Sequence, residues 1–72
     1  MNYSSKTERA IKNYGYDTCR EAFRMHKQGD GASTIGFYLN LKTRQADAAI
    51  DAGEEIKREI ESRLIPRIPS MI

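Results

Sequence analysis

Apolar residues recur along this chain at helical spacing, and no stretch sustains the strict alternation of a half-buried strand. Ala10, Ile11 and Tyr14 share one face of a first segment. Ser5 and Glu8 stand ahead of them with capping-box spacing, a hydroxyl followed three residues later by a carboxylate, and Gly15 supplies a stop. The pattern predicts a helix over about 5–14. Thr18 and Glu21 repeat the same spacing, so a second helix is expected from Asp17 or Thr18. Within it Cys19, Ala22, Phe23 and His26 fall at i, i+3, i+4 and i+7, a narrow buried stripe. Gln28-Gly29-Asp30-Gly31 is too rich in glycine to continue that helix. A third helix is expected over about 32–39 and a fourth from Lys42 or Thr43, a serviceable N-cap.

The end of the fourth helix has two readings. Either Gly53 terminates it, or it runs on to Leu64 with glycine costing about 1 kcal/mol relative to alanine. Ala46, Ala49, Gly53, Ile56 and Ile60 recur at alternating spacings of three and four, which favours continuity or a slight kink. Glu54–Arg58, Lys57–Glu61 and Glu59–Arg63 stand at i, i+4 around that stripe. Pro66 stops the helix, and Ile65 to Ile72 reads as an extended tail. The class is all-α: a small helical domain with a C-terminal helix and tail.

Seventy-two residues, 39% of them hydrophobic and none of them Trp, make one domain near the lower size limit for a single core. Cys19 is the only cysteine, so no disulfide can form within the chain, and one Cys with one His rules out a metal site of ordinary type in a monomer. No cofactor is expected. Oligomerisation remains as the source of extra stability, with residues 54–72 as a dimerisation helix and tail. Ile56, Ile60 and Leu64 form either intrachain core or a dimer seam; the seam is favoured, with Ile65 and Ile68 extending it in a homodimer. No apolar run approaches the roughly 18 residues of a membrane span, and Met1-Asn2-Tyr3 does not open a signal peptide. A cytoplasmic protein with no membrane partner is expected, and a lone thiol suits a reducing compartment. The net charge of +2, from 12 basic and 10 acidic residues, permits DNA binding without arguing for it.

The most specific stretch is Gly31 to Gly53, two short helices joined by a tight turn. Gly36 is minimal in size where the second helix must approach the first. Asn40, between Leu39 and Leu41, sits where the chain needs a left-handed residue. These are the features of a helix-turn-helix, which delivers its second helix to the DNA major groove. The stretch resembles the helix-turn-helix of the small Cro-type phage repressors, and Ala46-Asp47-Ala48-Ala49-Ile50-Asp51-Ala52-Gly53 looks like the end of that family's recognition helix. The resemblance covers about a third of the chain. It ends beyond Ile56, where the family continues into β-strands and Lys57-Arg58-Glu59-Ile60-Glu61 is helix-forming.

The resemblance implies that Thr43, Arg44, Asp47 and Ala48 meet base edges. Arg44 suits guanine O6 and N7, and Thr43 suits a base or a phosphate. Gln45 reaches adenine only if the helix is rotated from the family pose. Asp47 is tolerable near a polyanion only if it accepts from cytosine N4 or pairs with Arg44. Ser33 and Thr34 would set hydroxyls and backbone N–H groups near a phosphate, and Arg24, Lys27 and Lys42 are further phosphate candidates.

Phe37 and Tyr38 occupy positions that are usually polar in this motif. They are expected to be covered by the first helix, the tail or a second subunit. They also ground a second reading, a protein-binding adaptor or inhibitor from a mobile element. A DNA-packaging or recombination accessory is a third. Cys19 and His26 lie about two helical turns apart, too far for a nucleophile–base hydrogen bond. With no carboxylate pair, metal set or glycine-rich phosphate loop, no enzyme is expected. The leading expectation is a small phage- or prophage-type DNA-binding regulator that reads double-stranded DNA with helix 42–52.

Overall fold

The computed structural model describes residues 3–64. Four helices follow one another: α1 (Ser5–Tyr14), α2 (Tyr16–Lys27), α3 (Ala32–Leu39) and α4 (Thr43–Leu64). The fold is all-α. α4 is the spine, and each of the other three helices packs against it.

α4 is continuous, which resolves the two readings of Gly53. The stripe Ala46, Ala49, Ile50, Ala52 and Ile56 is buried along its length, and Ile60 packs on the edge of the core. Five of the nine core side chains are alanines, so the helices approach closely and each contributes little apolar area. At the α2–α4 crossing even alanine is too large. A Cβ on Gly53 would lie 2.6 Å from Phe23 Cβ and closer still to the Cys19 carbonyl oxygen. Glycine stands in mid-helix here because the backbones meet, and this contact offsets its poor helix propensity.

The start of α1 is one residue earlier than capping-box spacing suggests. Ser4 is the N-cap, accepting from the Thr7 N–H at 3.3 Å. Capping-box spacing favours Ser5, with Glu8 three positions on, and a long-range contact selects Ser4 instead. Glu55 on α4 accepts from the Ser4 N–H (2.8 Å), the Ser4 hydroxyl (3.0 Å) and the Thr7 hydroxyl (2.5 Å). That carboxylate fastens the N-terminus of α1 to the spine and leaves buried Thr7 satisfied. Hydrogen bonds from Thr7 and then Ser4 hold its pKa below the ordinary glutamate range.

α2 starts at Tyr16 behind Gly15, not at a Thr18 capping box. Gly15 takes φ 100°, and a side chain there would be strained. His26 is exposed, a correction to the expected stripe; it lies in the last turn, beyond the crossing, while Met25 turns inward instead. Burial raises the Cys19 thiol above its usual range.

Ile56 is fully buried within the single chain, so it cannot form part of a dimer seam. It lies along the stripe that the shorter helices cover, and the chain itself uses its apolar surface. Ile60 is half-buried. The side chain of Leu64, with Ile65 and Ile68, lies outside the described residues.

Candidate nucleic-acid interface

The geometry of the third and fourth helices follows from two small residues. Asn40 adopts the left-handed conformation, φ 61° and ψ 44°, and is the one non-glycine with positive φ among the described residues. Its short amide side chain lowers the steric penalty that most side chains meet there. The Leu41 N–H then donates to the Gly36 carbonyl at 2.7 Å, so the chain reverses at once. A Cβ on Gly36 would lie 2.5 Å from the Leu41 carbonyl oxygen. The turn therefore folds back onto α3 where only glycine leaves room.

α4 begins directly after this turn. The Lys42 carbonyl accepts the first helical bond, from the Ala46 N–H at 2.7 Å, and the Lys42 N–H donates to the Gln45 side chain at 2.9 Å. Lys42 is thus the cap, Thr43 is the first helical residue, and Gln45 supplies the returning half of a capping box. That hydrogen bond occupies the Gln45 amide oxygen and leaves the residue half-buried. Gln45 was the base-reading candidate that needed a rotated helix.

The other candidates on α4 divide cleanly. Thr43, Arg44 and Asp47 are exposed, and Ala48 is half-buried beside them. Lys42, Thr43, Arg44, Gln45 and Asp47 line one shallow concavity. Arg44 and Asp47 stand at i, i+3, close enough in register to pair, yet neither makes an ion pair or side-chain hydrogen bond among the described residues. Farther along the same outward face are Asp51 and Glu54, so the cationic start of α4 gives way to acidic residues by its middle.

Two basic flanks border α4. One is a groove between α1 and α4, lined by Lys6, Arg9, Asn13, Ala48 and Asp51 among others. The other lies between α2 and α4, where Arg20, Arg24, Lys27 and Lys57 surround Gly53. Arg24 is paired with Glu21, and the Lys27 ammonium lies 5.9 Å from the centroid of the Phe23 ring. Lys57, in this second groove, is thirteen residues beyond Arg44, or ~20 Å along the helix. Arg24 and Lys27 share that groove, which meets α4 at Gly53 and Lys57. Lys6 and Arg9, which adjoin Ala48 and Asp51, lie closer to the candidate reading surface. Sequence spacing did not identify these two, because only the packing of α1 on α4 brings them there.

α3 carries no charged side chain. Ser33 and Thr34 are exposed in its first turn, and Gly31 supplies no side-chain cap to the backbone N–H groups there. Phe37 is 83% exposed and Tyr38 69%, packed edge to face with ring centroids 5.7 Å apart. Among the described residues no helix covers these aromatics, which corrects the first helix as their expected cover; the tail, the second element named for that role, lies outside the described residues. Ile35 and Gly36 take the buried side of α3, which turns residues 37 and 38 outward.

Comparison with known proteins gives no match among family models, curated proteins or solved structures. Among the described residues, no helix is long and apolar enough to cross a membrane.

Proposed function

We propose that the chain is a small sequence-specific DNA-binding protein of the phage-regulator type, in which α3, the Asn40 turn and α4 act as a helix-turn-helix. The observation that carries this reading is the exposed Arg44, without an ion-pair partner among the described residues, in the first turn of a helix whose start is set by the Gly36–Leu41 contact. In such docking Thr43, Arg44 and Asp47 meet base edges. The N–H groups of α3 with Ser33 and Thr34, together with Lys6, Arg9 and Lys42, meet phosphates. A homodimer belongs to the reading, because a two-fold pair presents two reading helices to major grooves about 34 Å apart. With Ile56 in the core, the seam would have to use Ile60 and the residues after it.

Titration of random-sequence duplex DNA across a salt series tests the proposal. Affinity should be measurable at low salt and fall steeply as salt rises, since each neutralised phosphate releases a counterion. No binding at any salt would overturn it. The second reading, a protein-binding adaptor, is favoured by one observation, the outward Phe37–Tyr38 pair. An adaptor would show no salt-dependent binding to DNA.

A further inference from the structure

We infer that Asp47 is a specificity residue, and that the preferred site of this protein places a cytosine beside the guanine read by Arg44. The inference rests on the DNA-binding reading above and adds to it the identity of the bases. Asp47 is exposed on the candidate reading face, next to residues that would approach a polyanion. Two circumstances would make a carboxylate tolerable there, an intrachain partner or a hydrogen-bond donor on the DNA. The first is absent: the Asp47 side chain makes no ion pair or hydrogen bond with Arg44 or with any other described residue.

The chemistry of the major groove then narrows the choice. Guanine and thymine offer acceptors there, which repel a carboxylate. Adenine offers its N6 amine, but between two acceptors, its own N7 and the O4 of the paired thymine. Cytosine offers its N4 amine with an acceptor on one side only, the O6 of the paired guanine. A carboxylate is therefore best matched to cytosine. Arg44 carries the complementary preference, since its guanidinium suits guanine O6 and N7. The two residues are three apart, so their backbone positions differ by ~4.5 Å along the helix, close to one base-pair step of ~3.4 Å. Thr43 and half-buried Ala48 are small, which lets the helix approach closely enough for the short Asp47 side chain to reach.

Selection from a random-sequence duplex pool, with sequencing of the enriched fraction, tests this directly. The wild-type chain should enrich adjacent guanine and cytosine, with roughly a tenfold loss for another base at the cytosine position. Asp47→Ala should abolish that preference while raising affinity for the unselected pool severalfold, because a negative charge leaves the interface. Asp47→Asn should move the preference at the same position from cytosine to adenine, as an amide pairs with N6 and N7. Residue 47 is exposed, and unchanged circular dichroism will show that the variants remain folded. Retention of the cytosine preference in Asp47→Ala would overturn the inference, as would wild-type binding with no preference at that position; both leave DNA binding itself standing. Failure of the wild-type chain to bind any duplex would sink this inference together with the reading beneath it.

Discussion

The two halves of α4 use their charges in opposite ways. From Glu54 onward they are spent inside the chain: Glu54 with Arg58, Lys57 with Glu61, and Glu59 with Arg63, each at i, i+4, while Glu55 holds the start of α1. Before Gly53 the side chains of Lys42, Arg44, Asp47 and Asp51 make no such contacts among the described residues. Composition does not distinguish the halves, since both mix acids and bases. The difference lies in partnership. Satisfied exposed pairs add a few tenths of a kcal/mol each to helix stability. Charges without partners add nothing to the fold, and their place beside a glycine-tight turn directs attention to what they meet outside it.

The largest expected effect tests the boundary between the halves. Gly53→Ala gains about 1 kcal/mol of helix propensity but drives a methyl group into the Cys19 carbonyl and Phe23. Overpacking against backbone outweighs that gain, and we expect a net loss of about 1–3 kcal/mol in urea unfolding. A stabilised variant would mean that α2 does not cross α4 here.

A paired comparison across the boundary comes next. Arg44→Ala should weaken binding to a selected duplex by about 1–3 kcal/mol and relax discrimination at one base. Arg58→Ala, its counterpart in the paired half, should leave DNA affinity unchanged and cost a few tenths of a kcal/mol in stability. Equal effects of the two on DNA binding would erase the distinction between the halves.

The flanks should differ more subtly. Arg9→Ala, near the reading half, should lower affinity about equally for all duplexes and reduce the salt slope by about one. Lys27→Ala should do so less, because its groove meets α4 at Gly53 and Lys57, whereas that of Arg9 reaches Ala48 and Asp51. Fluorescence anisotropy at several salt concentrations resolves the order, and the reverse order would place the DNA along α2.

The smallest effect concerns Glu55. Its pKa is depressed in the folded state, so its contribution is fully present above the unfolded value of about 4.3 and is lost as pH falls through the lower folded value. The difference in thermal midpoint between wild type and Glu55→Gln should therefore narrow below about pH 4. A difference independent of pH would remove the carboxylate from the clasp on α1.

Much of this fold was legible where local chemistry decides it. The C-terminal end of α1, both ends of α3, the left-handed Asn40 and the three i, i+4 pairs all follow from spacing and residue type. What escaped was set by contacts distant in sequence. Spacing favours Ser5 as the cap until Glu55, some fifty residues away, selects Ser4. The stripe through Ile56 looks the same whether its partner is the same chain or a second copy. Gly53 reads as a helix stop or a weak point until α2 is seen to touch it. At the candidate site, Arg44 and Thr43 were readable from the motif, whereas Lys6 and Arg9 were not.

The α2–α4 contact at Gly53 also has a mechanical consequence. It falls near the midpoint of α4, ten residues after Thr43 and eleven before Leu64, or about 15 and 17 Å along the axis. A stiff rod held at its centre is a lever with arms of nearly equal length. Tilting the Leu64 end about that fulcrum would move the Thr43 end by almost the same distance in the opposite direction.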